Sequence, residues 1–469
     1  IIVWALGIDI SSLLVGALRV NFLLVIVVAI WSPVDAFLNF AGPILFLYGL
    51  TKIMLRGSQK FQEWIVSAGR RFFGSFGTLA TRNVKRNPAR NAALVFVISL
   101  IVSYGIYSVG ALLSEQDRAH REDLFTVGSD VSGTFSPGAN LTSALPQIEA
   151  IDGVTSLTVE YRLSFSTSRG SLPTRGIDAE EWLETAYYEP EWFVGSSFSE
   201  VMQDFTGNKI LLSISVARQL SLRVGNNMTV FVPGSSTPRT MKVVGLVGFA
   251  SVLEEFVGQY AFGGSYPSYV PRDFLESAGV LGYAEQWVLV KTAPGHNGTA
   301  VEEKIVEIAD YVSATDSVTS RDHARSTETS FATVSTRANW VGIAFALVLA
   351  SVGTGLVVSL TLKEKEYETT LLSVRGFTAS QVLKALLAEV MVLITFSLIL
   401  GLVTGLIQIF GNVSSGSQQA QALVRPRMVF DLMSVSLMSC VVLVVVVCAL
   451  IPILVTARFD EKKIDVLRE

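Results

Sequence analysis

Chemistry-bearing residues are scarce in this chain. Histidine occurs three times, at His120, His296 and His323, and never in an H-E-x-x-H or other metal-ligand spacing. Cysteine occurs twice, at Cys440 and Cys448, within one apolar run. That excludes a disulfide framework and a cysteine zinc site, and the pair reads as apolar packing. No G-x-S-x-G nucleophile elbow occurs. No G-x-x-x-x-G-K-[ST] phosphate loop occurs in these residues. Carboxylates are plentiful, yet no spacing singles out a pair for acid–base work. No catalytic or metal-binding residue is assigned, each histidine reads as a solvated surface residue, and the chain is not expected to be an enzyme. Charge is scarce too: 16% of residues are charged, against about 25% in soluble domains.

Apolar residues take the place of charge. They make up 50% of the sequence and gather in runs long enough for the roughly 20 residues that a membrane helix needs. Clear runs cover about 92–113, 339–362, 383–410 and 431–456, with shorter ones at about 41–55 and within 12–31. The expected fold class is therefore an α-helical polytopic membrane protein of about six spans with a large α+β extracytoplasmic domain. Because the chain opens on Ile1 inside apolar sequence, it reads as part of a longer protein.

Charge sets the orientation. Residues 52–90 hold nine Lys or Arg and one acid, Glu63, which places them in the cytoplasm. The division that follows begins with a hydrophobic membrane hairpin at 1–58 and a basic amphipathic cytoplasmic elbow at 59–91. A span at 92–114 leads to the extracytoplasmic domain at 115–335. After it come a span at 336–362, a cytoplasmic turn and helix at 363–382, and a span at 383–410. An outer loop at 411–430, a span at 431–457 and a cytoplasmic tail at 458–469 complete the chain. Residues 115–337 hold 28 acids and 16 bases, whereas the remainder holds 12 acids and 20 bases. An acidic outer domain offers no clustered basic face for nucleic acid. Only Arg425 and Arg427 oppose the scheme. The N-x-S/T sequons, at Asn140, Asn227, Asn297 and Asn412, all fall on the outer side, where glycosylation requires them.

Within the outer domain Val154–Phe165 alternates as a strand, and 226–249 reads as a hairpin around Gly234–Pro238. A further strand, WVLVKT, precedes a helix carrying Val301, Ile305, Ile308 and Val312 at helical spacing.

Two cytoplasmic segments stand out. In RRFFGSFGTLATRNVKRNPAR, Phe72, Phe73, Phe76 and Leu79 fall at near-helical spacing, Arg70, Arg71, Arg82, Lys85, Arg86 and Arg90 are basic, and Pro88 marks the start of a span. This suits either a helix lying at lipid phosphates or a simple topogenic charge cluster. In KEKEYETTLLSVRGFTASQV, residues 363–382, a charged collar surrounds Leu371, Leu372 and Val374. Gly376 breaks the helix and Thr378 or Ser380 can cap the next one. The segment suits docking into a groove of another protein, or an ordinary turn between spans.

The order of these parts resembles the permease subunit of FtsX/MacB/LolCE-type (type VII) ABC transporters, over about 75–469. The carriers are RNVKRNPAR, a span, the large outer domain, a span, the E-K-E-Y-E…L-L-S-V-R-G-F-T-A-S turn and two spans. The turn departs from bacterial members at Ser373-Val374-Arg375. The apolar segment before residue 58 resembles the middle of long permeases, so the chain is similar to the C-terminal half of a two-unit permease.

The resemblance implies an outer domain of MacB-like periplasmic-core type. It implies an ATPase-coupling site at Glu364, Glu368, Leu371, Leu372, Arg375, Gly376 and Ser380; separately, Glu389, early in the following span, falls where the family often has a glutamate. The membrane-interface elbow would be Arg82, Asn83, Arg86, Asn87, Pro88 and Arg90. The implied partners are a cytoplasmic ABC ATPase dimer, a second permease unit (a homodimer, a heterodimer or the other half of a longer chain), membrane lipid and an extracytoplasmic partner. The resemblance implies no cofactor on this chain, with ATP and Mg on the ATPase. The implied function is coupling of ATP hydrolysis to movement of the outer domain, for export or extraction of lipids, lipoproteins or peptides, in a multi-pass cell-membrane protein. The alternative is an FtsX-like regulator that activates an extracytoplasmic hydrolase or partner without transporting anything.

Overall fold

A computed structural model describes residues 22–52, 88–194, 198–235, 237–249, 266–312, 315–327, 331–364, 378–419 and 423–466. The first long helix, α1 (Phe22–Lys52), is continuous and carries Pro33 and Pro43 inside it. This corrects the membrane hairpin at 1–58: the stretch between its two apolar runs does not turn. Proline is tolerated inside membrane helices because neighbouring groups satisfy the freed backbone. The second, α2 (Pro88–Val127), starts on the expected proline. Proline lacks only an N–H that the first turn leaves unpaired anyway.

Helix α2 does not stop at 114. Its polar extension is held by pairs one turn apart: Arg118 with Glu115 and Glu122, and Arg121 with Asp117. Apolarity marks where a helix crosses the bilayer, not where it ends. At the far end Gly128 adopts φ +92° and donates its N–H to the Leu124 carbonyl at 2.8 Å. That left-handed cap turns the chain into the first strand.

The outer domain is a ten-stranded mixed sheet. Its strands are β1 (Val131–Phe135), β2 (Val154–Thr167), β3 (Gly170–Ile177), β4 (Phe193–Val194), β5 (Lys209–Ser213), β6 (Asn227–Val230), β7 (Arg239–Val247), β8 (Ser268–Pro271), β9 (Glu285–Thr292) and β10 (Thr315–Ser320). Their order is β10-β1-β9-β2-β3-β8-β5-β7-β4, with β6 paired to β7. Pairs β3/β8 and β5/β7 are parallel and the others antiparallel. The expected strands and the β6–β7 hairpin are present. Helix α3 (Gly298–Val312) follows β9 and buries Val301, Ile305 and Ala309 along one stripe.

Two cores divide the domain. The first includes Phe135, Ile148, Phe165, Leu172, Val288, Val290 and Ile305. The second includes Trp182, Trp192, Met202, Phe205, Leu211 and Tyr269.

From β10 the chain runs through α4 (Arg321–Thr327) into α5 (Phe331–Glu364), then α6 (Ala379–Gln419) and α7 (Leu432–Val466). Helix α6 begins with a reciprocal capping box. The Gln381 N–H donates to Thr378 Oγ1 at 3.4 Å, and the Thr378 N–H donates to Gln381 Oε1 at 3.1 Å. Helix α6 continues past 410 and shortens the outer loop expected at 411–430, while α7 continues into the stretch expected as a tail at 458–469.

Among the described residues three helices are long and apolar enough to cross a membrane: Asn91–Val127, Val390–Ser417 and Leu432–Ile453. Helix α5 packs against α2 and α7, and α1 packs against α2 and α6. Helices α2 and α6 approach each other closely at two glycines. A Cβ added at Gly401 would lie 2.8 Å from the Ser99 carbonyl oxygen, and one at Gly405 would lie 3.0 Å from that of Ser103. This Gly-x-x-x-Gly spacing lets the two backbones touch.

Candidate functional site

Helices and outer domain meet at a joint near the outer end of α2. Arg121 is its centre, with its side chain 6% exposed. Its Nε donates to Asp117 at 2.8 Å, Nη1 to Glu189 at 2.8 Å, and Nη2 to the Arg425 carbonyl at 2.6 Å. A burial this deep is tolerable because each face of the guanidinium fork meets an acceptor. Asp117 also accepts from Arg427 Nη2 at 2.8 Å, and Ser114 Oγ donates to the Arg427 carbonyl at 2.6 Å. Glu189 accepts in addition from the Tyr187 hydroxyl at 2.7 Å and from Trp192 Nε1 at 3.1 Å. Burial and that bond to Glu189 push the Tyr187 hydroxyl above its ordinary pKa, so it stays a donor.

The segment after α6 completes the joint. Leu423 and Val424 are 1% and 2% exposed and belong to the second core, beside Trp182, Trp192 and Tyr269. The Arg425 guanidinium lies 3.8 Å from the centre of the Phe249 ring. A cavity of about 320 Å³ remains between Arg121, Glu189, Phe249, Ser417, Arg425 and Arg427.

A second tie holds both chain crossings together. Asp130, just after α2, accepts from Arg321 Nη1 at 2.8 Å and from the Thr292 N–H at 3.0 Å. The Arg321 N–H donates to the Asp130 carbonyl at 2.8 Å. Strands β1 and β10 therefore start and finish side by side. Strands β2 and β3 carry a charge cluster around the buried Glu160, whose arginine partners are half-buried. Glu160 is bonded by Arg162 at 2.6 Å, Arg175 at 3.1 Å and Trp182 Nε1 at 3.2 Å, and Arg162 stacks 3.3 Å from the Trp287 ring centre. Burial alone would raise the Glu160 pKa, but Arg175 and Arg162 hold it below the usual carboxylate range.

Most sequence-derived site residues lie elsewhere. Glu368, Leu371, Leu372, Arg375, Gly376, Arg82, Asn83, Arg86 and Asn87 fall outside the described residues. Glu364 closes α5 with an exposed side chain, Ser380 stands in the first turn of α6, and Glu389 lies further along it. Pro88 and Arg90 open α2. Among the sequons, Asn140 and Asn297 are exposed, and each accepts from the backbone N–H two residues on, at 3.1 and 3.0 Å. Asn227 lies in β6 and Asn412 inside α6. His323 is exposed, as its sequence reading expects, and its Nδ1 is 2.7 Å from the buried carboxylate of Glu302.

The joint itself was not foreseen. Its signals were Arg425 and Arg427 on the wrong side of the charge rule, beside the apolar pair Leu423-Val424.

Residues 92–308 match the family model of the MacB-like periplasmic core domain. Among solved structures, the chain is similar to the periplasmic region of MacB from Actinobacillus actinomycetemcomitans, at 16% identity and TM-score 0.30, covering 45% of this chain and 98% of that one. It is also similar to the extracellular domain of the noncanonic ABC-type transporter YknZ from Gram-positive bacteria. That match has 12% identity and TM-score 0.27, covering 40% of this chain and 98% of that one. No curated protein matches.

Proposed function

We propose that this FtsX/MacB-type permease, with its MacB-like periplasmic core domain at 92–308, passes the stroke of a separate cytoplasmic ATPase to that domain. The observation carrying the proposal is the joint: Leu423 and Val424, in the loop between two apolar helices, sit inside a core of the outer domain. A loop buried in this way makes the domain move with the helices, because freeing it would expose apolar surface at about 25 cal/mol per Å².

The chain's own residues supply rigidity rather than chemistry. Backbone bonds in the bilayer are satisfied within each helix, so the helices act as rods. Glycines 401 and 405 seat α6 on α2. Glu364, Glu368, Leu371, Leu372, Arg375, Gly376 and Ser380 are the proposed contact with the ATPase, and Thr378 fixes where the following rod begins. ATP and Mg would be held by the partner. The cargo classes that fit are lipids, lipoproteins or peptides taken from the outer side.

The test is the full assembly with Leu371→Glu and Gly376→Pro. Stimulation of the ATPase by the permease should fall at least tenfold while the outer domain stays folded. Undiminished stimulation contradicts the proposal.

A further inference from the structure

We infer that the stroke enters the outer domain through residues 423–427, at the second core, rather than through strand β10. This rests on the permease reading above. Helices α5 and α6 flank the proposed ATPase contact, and each offers a path outward. Helix α5 leads back through α4 to β10, at one edge of the sheet. Helix α6 leads to the buried loop.

The two paths differ in stiffness. Helix α6 has 41 residues, about 60 Å at 1.5 Å per residue, so it reaches well past a hydrocarbon core of about 30 Å. It is seated on α2 at mid-length by Gly401 and Gly405. Beyond its end, Ser114, Asp117 and Arg121 of α2 hold Arg425 and Arg427. Thus α2, α6 and the loop are joined at two levels. The loop then grips the second core by Leu423 and Val424 and by Arg425 over Phe249. On the other path the one tie described is Arg321 to Asp130, at the edge of the sheet: α4 is a seven-residue helix and β10 is an edge strand, paired with a strand on one side only. A displacement of α6 therefore shifts the second core relative to the first.

Spin labels at Arg169→Cys, on the β2–β3 turn of the first core, and at Glu200→Cys, beside the second, would report that shift. Cys440 and Cys448 would be replaced by alanine. The full chain, reconstituted with its ATPase in nanodiscs, would be measured with and without a non-hydrolysable ATP analogue. The expected result is a change of label distance with nucleotide. It should shrink at least threefold in Leu423→Ser with Val424→Ser, and persist when two glycines are inserted after Thr327. Should the double variant fail to fold, Leu423→Ala alone supplies the comparison, with Leu423→Met expected to behave as the parent chain. Loss in the insertion variant with retention in the unplugged one overturns the inference, and so does loss in both or in neither. A parent chain that stimulates the ATPase without any distance change also overturns it and leaves the ATPase partnership standing. A parent chain that neither binds nor stimulates the ATPase removes the permease reading itself.

Discussion

Shortening Leu423 to alanine should loosen the joint locally. The side chain is 1% exposed and belongs to the core that also holds Trp182, Trp192 and Tyr269. Removing a buried leucine to alanine costs about 2–5 kcal/mol, combining lost transfer energy with the cavity left behind. The aromatic side chains of this core are large and braced against one another (Trp182 stacks on Tyr188 and meets Tyr269 edge-on, each at 5.4 Å), so little collapse into the gap is expected. At about 1.4 kcal/mol per tenfold, even the lower bound raises the open population of the loop roughly 30-fold. Arg121 and Ser114 still hold the backbone of Arg425 and Arg427, so the loss should stay confined. Hydrogen exchange on the full chain in detergent reads this directly. Amides of 423–427 and of Phe249 should exchange at least about 30-fold faster, with β2 and β9 unchanged. Unchanged exchange at 423–427, or a loss spread across β2 and β9, would refute the reasoning.

Glu160→Gln should leave the half-buried Arg162 and Arg175 without their carboxylate and lower stability by about 3 kcal/mol, the low end for breaking a buried pair, measured by thermal unfolding of the full chain at pH 7. Because the folded pKa of Glu160 lies below its unfolded value, its contribution is complete above about pH 4.3. It is lost as pH falls through the folded value, so the gap between parent and variant should be flat from pH 8 to 5 and narrow in stronger acid. Gly405→Val should force α6 off α2, because the added Cβ meets the Ser103 carbonyl at 3.0 Å. A cost of about 1–3 kcal/mol and weaker ATPase stimulation are the expected readouts. For a folded chain offered to an oligosaccharyltransferase with its polyprenyl-linked donor, glycopeptide mass spectrometry should find Asn140 and Asn297 modified ahead of Asn227 and Asn412. The first two stand in exposed Asx turns, whereas the others lie in a paired strand and a long helix.

Local pattern carried much of this structure, because strands and helices follow side-chain period. The alternation at 154–165 and the helical stripe Val301–Ile305 need only neighbouring residues to be read. Thr378 as a cap is legible for the same reason, since its partner Gln381 is three residues away. Helix ends were not legible from hydropathy. Glu115, Asp117, Arg118 and Arg121 are polar, and they extend α2 by pairing with one another. The break expected within 1–58 failed because two apolar runs separated by a short stretch with Pro33 suit one long helix as well as a hairpin. The joint was hidden for a different reason: Arg121 and Arg425 are 304 positions apart. No local period links such residues, although two outer-side arginines already contradicted the charge rule.

The most direct measurement is hydrogen exchange of the outer domain in the full chain reconstituted with the proposed ATPase partner, with and without a non-hydrolysable ATP analogue. The account predicts that nucleotide on the cytoplasmic side alters protection at 423–427 and at Phe249, and that Leu371→Glu with Gly376→Pro abolishes the change. An assembly that binds nucleotide while the outer domain exchanges identically in both states would contradict it.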